Sequence, residues 1–161
     1  MFYSLILSMN GHKPRVLVIG VGNDYRHDDA AGLIVARRLR EKNLRHVTVR
    51  EMSGEGAALI ATWQGADRVI IVDAVRSGAA PGTIFRFEAH REPIPTSFFH
   101  YSTHAFGVAE AIETARSLGQ LPRNFIIYGI EGGDFSVGEG LSPEVERAVS
   151  KTVDMLMKEL E

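Results

Sequence analysis

Residues 16–32 read VLVIGVGNDYRHDDAAG, and this stretch decides how the rest of the chain is read. An apolar run, two glycines and an acidic segment imply a buried strand, a tight turn and the start of a helix. In a dinucleotide-binding turn of this kind a third glycine lets helix and strand pack closely, while bare amides hold the pyrophosphate. Here Gly20 and Gly22 are present, but Tyr25 occupies the third position and Asp24, Asp28 and Asp29 crowd the space a phosphate needs. The helix dipole returns only about 1 kcal/mol, too little to offset three carboxylates, which argues against a dinucleotide. The same arrangement suits a cation. One of Asp28 and Asp29 is expected to cap the helix; both cannot, so one is left for another task.

Strand-like and helix-like patterns alternate on either side of this unit. RVLVIG (15–20), RVIIVDAV (68–75) and NFIIYGIE (124–131) are short apolar runs, as expected of strands buried on both faces. HVTVRE (46–51) reads as a further strand, and GTIFRFEA (82–89) alternates like an edge strand. Helices are expected from Asp29 to about Arg40, from Gly56 to Trp63 and from His104 to Leu118. A last helix follows Ser142, with Ser142 as cap and Pro143 at its first position. The order implies a single-domain three-layer α/β sandwich over 15–161, its twisted sheet mostly parallel with one edge strand antiparallel. Residues 1–14 read as a flexible leader without signal-peptide features, and either Met1 or Met9 serves as a start.

Composition narrows the function. A chain of 161 residues with a net charge of −2 and no long basic run gives no electrostatic case for nucleic acid or a membrane surface. With no cysteine, disulfides, thiolate metal sites and a cysteine nucleophile are excluded, and a cytoplasmic location fits.

Polar residues near the strand ends then gain weight. In an open parallel sheet, ligands bind beyond the carboxyl ends of the strands. Asp73 ends the run VIIVDA there, a poor place for a carboxylate without a partner. His104, in STHAFG, falls where a helix is expected to begin. Asp29, Asp73 and His104 make a set of two carboxylates and one imidazole, suited to a borderline divalent ion such as Zn²⁺ or Ni²⁺. Each also has a plain alternative: His104 as a capping or core histidine, Asp73 as an acceptor for a neighbouring loop. His12, His27, His46 and His90 read as surface residues, His100 as a loop residue, and Phe98, Phe99 and Tyr101 as packing under a loop.

GVGNDYRHDDAAG, VIIVDAV, STHAFG and GIEGGDFSVGEGLSPEV together resemble the hydrogenase maturation proteases, nickel-dependent endopeptidases of [NiFe]-hydrogenase assembly often grouped with aspartic-type endopeptidases. The resemblance covers nearly all of the chain from Arg15 onward. It implies an enzyme that cleaves the C-terminal extension of a hydrogenase large-subunit precursor, met transiently by a monomer. By motif it makes Asp29, Asp73 and His104 the metal-contacting positions, with the nickel brought wholly or partly by the precursor. Asp28 or Asp73 is then the expected general base. Many members have Glu where this chain has Asp29. The loop EMSGEG also departs from the family pattern, so a recognition role for Glu51 or Glu55 is not carried over. Two other functions compete: a non-enzymatic nickel-binding assembly factor, and a small-molecule hydrolase or nucleoside-processing enzyme with a deep apolar pocket near Phe98, Phe99 and Tyr101.

Overall fold

The computed structural model describes residues 13–99 and 104–161; the leader up to His12, with Met9, and the segment of His100, Tyr101, Ser102 and Thr103 lie outside the described residues. Five strands form one sheet: β1 (Val16–Val21), β2 (Val47–Met52), β3 (Arg68–Val75), β4 (Ile84–Glu88) and β5 (Asn124–Glu131). Their order across the sheet is β2-β1-β3-β5-β4, all parallel except β4, which runs antiparallel to β5 at the edge. Four α-helices cover its faces: α1 (Ala31–Arg40), α2 (Gly56–Trp63), α3 (Val108–Ser117) and α4 (Pro143–Glu159). None is long and apolar enough to cross a membrane.

Alternation along the central strands divides the core in two. Leu17, Ile19, Val69, Ile71 and Phe125 point to the layer of α2 and α3, where Trp63 meets Phe125 edge-on at 4.9 Å. Val18, Ile70, Val72, Ile126 and Tyr128 point to the layer of α1 and α4. The three-layer sandwich expected from the sequence is the architecture observed.

Close backbone packing, more than turn flexibility, explains the glycines of the opening stretch. A Cβ on Gly32 would lie 2.2 Å from the Val72 carbonyl oxygen and 2.5 Å from that of Val21. One on Gly20 would meet the Gly32 oxygen at 2.3 Å. Helix α1 therefore lies directly on β1 and β3, and Gly32 performs the packing that a third turn glycine performs in nucleotide-binding units.

Several expected boundaries shift for physical reasons. The helix expected from Asp29 opens as a 3₁₀ turn, His27–Ala30, and becomes α-helical at Ala31. His27 is held there at a φ of 43°, and neither aspartate caps the helix. The helix expected from His104 begins at Val108, because the Glu110 carboxylate accepts the Gly107 amide at 3.0 Å and fixes the start. The Ser142 hydroxyl does not cap α4; it donates to Asp28. His46 is exposed, but His27 and His90 are half-buried, His90 with its Nδ1 3.1 Å from the Phe125 amide nitrogen.

Candidate active site

The chain leaves β1 through α1 to β2 on one side, then crosses through α2 to β3 on the other. With α1 and α2 on opposite faces, a crevice opens between the carboxyl ends of β1 and β3, where open α/β sheets place their ligands. A cleft of about 340 Å³ occupies that position. Asp29, Asp73 and His104 all line it, with Asn23, Tyr25 and Arg26 from the β1 turn, Ser53 and Gly54 after β2, and Phe98 and Phe99.

The register places Asp73 at this crevice. Strand β1 stops pairing with β3 at Gly20 and Val72, while β3 continues beside β5 through Asp73, Ala74 and Val75. Burial pushes the Asp73 carboxyl well above the usual carboxylate range, and the nearby Asp29 charge pushes it further, with the Ala74 amide opposing both. Asp29 is delivered by the 3₁₀ turn, whose backbone is pressed against Gly22; a Cβ there would lie 2.0 Å from the Asp29 carbonyl oxygen. Burial raises its pKa too, against the Arg26 guanidinium and the Asn23 amide, which favour the anion. Arg26 is itself fixed by its Nε donating to the Phe135 carbonyl at 3.1 Å. His104 approaches from the segment before α3, ahead of the helix instead of at its start.

This donor set fits a divalent cation, because a positive charge between Asp29 and Asp73 would counter both the burial that chiefly raises Asp73 and the repulsion that adds to it. Among the described residues, however, no three His, Asp or Glu side chains are grouped as a ready-made metal cage.

The structure does not bring Asp28 into the cleft. Its side chain is fully buried and points away, into the loop between β5 and α4. Oδ2 accepts the Gly133 and Asp134 amides at 2.8 Å each and the Ser142 hydroxyl at 2.7 Å, and Oδ1 accepts the Ser142 amide at 2.7 Å. Burial pushes its pKa up, but these hydrogen bonds outweigh burial and leave it below the ordinary value. With its lone pairs engaged, Asp28 has the surroundings of a structural anchor, not those expected of a general base.

Other acids near the cleft are also engaged. Asp24 takes a two-pronged bond from Arg37 at 2.9 and 2.7 Å, and Arg37 and Arg40 hold Glu51 at 2.7 and 2.8 Å. Glu55 caps α2, accepting the Ala57 and Ala58 amides at 2.9 and 2.8 Å. The amides of the 3₁₀ turn are likewise committed: His27 donates to Gly138 O, Asp28 to Asp134 O and Asp29 to Arg26 O, at 2.8, 2.9 and 3.0 Å. Those amides are not available to a phosphate, which agrees with the acidic reading of the turn.

Sequence reasoning missed Glu131, a buried carboxylate ending β5. It accepts the Ser77 and Gly78 amides at 2.9 and 3.0 Å and the Ser77 hydroxyl at 2.8 Å, holding the β3–β4 loop. Its signal was available: like Asp73, it ends an apolar strand with an acid. Phe98 packs edge-on to Phe85 and Phe87 at 4.9 and 5.6 Å, the role expected for it, while Tyr101 lies outside the described residues.

Known proteins match this chain in sequence and fold along most of its length. The hydrogenase maturation protease family profile matches residues 34–159. Hydrogenase 2 maturation protease of Escherichia coli (strain K12) is 27% identical over 150 residues, covering 91% of this chain and 90% of that protein. Hydrogenase expression/formation protein HupM of Azotobacter chroococcum mcd 1 is 30% identical over 142 residues, covering 87% and 68%. The solved structure of the hydrogenase maturating endopeptidase HybD from E. coli superposes with a TM-score of 0.75 at 26% identity, covering 91% of each chain. The maturation protease HybD from Thermococcus kodakarensis superposes with a TM-score of 0.68 at 26% identity, covering 91% of this chain and 99% of that one. The profile match over 34–159 and the shared fold agree: this chain belongs to the hydrogenase maturation protease family.

Proposed function

We propose that this protein is an endopeptidase that removes the C-terminal extension of a [NiFe]-hydrogenase large-subunit precursor after nickel insertion. The observation that carries this reading is the convergence of Asp29, Asp73 and His104 on one cleft at the crevice between β1 and β3. Nickel is here part of the substrate: the precursor holds it, and the two carboxylates and the imidazole touch it from the protease side. The ion then serves as the check that the precursor is mature, because it docks the scissile segment beside Asp73.

Asp73 is the general base of this proposal. Burial and the Asp29 charge raise its pKa, and a cation beside it favours the ionised form that a base requires. The anion takes a proton from a water attacking the scissile carbonyl, a carbon–oxygen bond forms, the carbon–nitrogen bond breaks, and the proton passes to the leaving amine. Two neighbouring aspartates whose ionisation is linked also suit an aspartic-type grouping. Asp28 supports this chemistry by holding the turn that carries Asp29. The protein is proposed to act as a monomer in the cytoplasm.

The test is mass spectrometry of nickel-loaded and nickel-free precursor, each incubated with substoichiometric protein. Loss of one C-terminal peptide from the loaded form alone is the expected result. Asp29→Ala, Asp73→Ala and His104→Ala should each abolish it; full processing by all three would overturn the site assignment. Nickel or precursor binding without turnover would favour the assembly-factor reading.

A further inference from the structure

Large apolar side chains exposed to water are few here, and their placement is uneven. Among the described residues four stand out: Tyr25, Phe106, Leu118 and Val137. One of them lines the cleft and two lie close to cleft residues along the chain. Tyr25 lines it and is 66% exposed; Val137 is 84% exposed on the loop whose Phe135 lines the cleft; Phe106, 37% exposed, lies between the cleft residues His104 and Val108. Leu118 lies beyond the far end of α3.

Tyr25 and Val137 form one ridge. An isolated parallel bridge pairs Arg26 with Gly138, so the residues just before them lie side by side. The Gly138 amide donates to the Tyr25 carbonyl at 2.9 Å, and the His27 amide donates to the Gly138 carbonyl at 2.8 Å. The His27 ring closes over Gly138, where a Cβ would lie 2.2 Å from Nε2. Asp28 ties both ends of the same loop through Gly133 and Ser142. Both apolar side chains are thus presented on a backbone pinned from below, so ordering them on association costs little.

We infer that the Tyr25–Val137 ridge is a docking surface for the folded body of the precursor, seating it so that its extension enters the cleft. The inference rests on the proposed function and adds the residues that recognise the partner outside the metal contact. The partner surface that fits is an apolar patch bordered by Lys or Arg. Loop 132–142 contains no basic residue, and its Asp134 and Glu139 are exposed on either side of Val137. Continuity with the cleft selects this partner, since a body held on the ridge lies against the wall that Tyr25 shares with Asp29.

The experiment measures processing kinetics of nickel-loaded precursor by the wild type, Tyr25→Ser/Val137→Ser, Tyr25→Phe/Val137→Ile and a remote control, Leu118→Ser. The serine pair should raise KM at least tenfold, and Val137→Ser alone, outside the cleft lining, should raise KM with kcat unchanged, both at an unchanged melting temperature. The conservative pair and the remote control should behave as wild type. A serine pair with wild-type KM overturns the ridge while leaving the protease reading intact, as does a wild type found to self-associate through this face, with the pair made monomeric and processing unaltered. A wild type that neither binds nor cuts the precursor overturns both readings, before any variant is compared. If the serine pair lowers the melting temperature, the single Val137→Ser variant decides by the same KM criterion.

Discussion

Replacing Asp28 with alanine tests the claim that this residue anchors the site without entering its chemistry. The change removes a buried carboxylate that accepts four hydrogen bonds, three from backbone amides and one from the Ser142 hydroxyl. Each buried donor left without a partner costs about 1–3 kcal/mol. The Ser142 hydroxyl has an escape, since it precedes α4 and can turn to cap it, but the three amides are fixed by the backbone. Removing the buried charge returns part of the loss, so we expect a net destabilisation of about 3–5 kcal/mol at neutral pH. Asp28→Asn should lose less, keeping one oxygen but turning an amide group towards donors. Because the folded pKa is lowered from 3.8, the contribution is fully present above that pH and fades as pH falls through the folded value. Urea denaturation of the wild type and both variants at pH 7 and near pH 3 reads these differences. A loss below about 1 kcal/mol at pH 7, or one that does not shrink in acid, would refute the anchor.

Further outcomes follow from other contacts. Gly32→Ala should cost about 3 kcal/mol or more, or prevent folding, because the new methyl meets two strand carbonyls; a thermal melt checks it. Asp73 makes the opposite contribution to Asp28: its folded pKa is raised, so the folded state binds more protons than the unfolded one. Stability should therefore fall as pH rises from 3.8 through the folded pKa, and Asp73→Asn should flatten that fall in a pH series of denaturation curves. Glu55→Ala removes the cap of α2 and should lower the urea midpoint, with processing retained. Arg37→Ala breaks exposed ion pairs to Asp24 and Glu51 and should cost less than about 1 kcal/mol in the same measurement.

What could be read in the sequence divides along the range of the forces involved. The strands announced themselves because burial on both faces needs apolar side chains at nearly every position, as Val69, Ile70, Ile71 and Val72 show. The antiparallel edge was legible from the alternation of GTIFRFEA, since one face of β4 meets water. Asp29, Asp73 and His104 could be singled out because carboxyl ends of strands gather at one edge of a parallel sheet whatever the loops do. The roles of Asp28, Ser142 and Glu131 depend on loops meeting across the fold, over separations of 114 and 54 residues, and no local pattern encodes that. Ser142 followed by Pro143 is a sound local signature of a cap; a buried anion competed for its hydroxyl and won.

The same competition explains why a glycine turn built like a nucleotide cradle holds acids instead. A cradle needs amides at the helix start that point outward without partners. In this chain the 132–142 loop folds back on the turn, and its Asp134 and Gly138 carbonyls take the amides of Asp28 and His27. With those donors spent, an anion gains nothing at the turn. A carboxylate there is raised by burial and steadied only by Arg26 and Asn23, so a cation is what the position lacks. The loop that closes the cradle is also the one that carries Val137 and Phe135, so the same loop changes the sign of the ligand and builds the wall against which a protein partner can be seated. It follows that lengthening the loop between Gly138 and Ser142 should weaken both functions together, whereas Asp73→Asn should remove the chemistry with the smaller loss of precursor affinity. Precursor affinity and turnover, measured on the two variants, separate these cases; equal affinity in both would show that the loop does not link them.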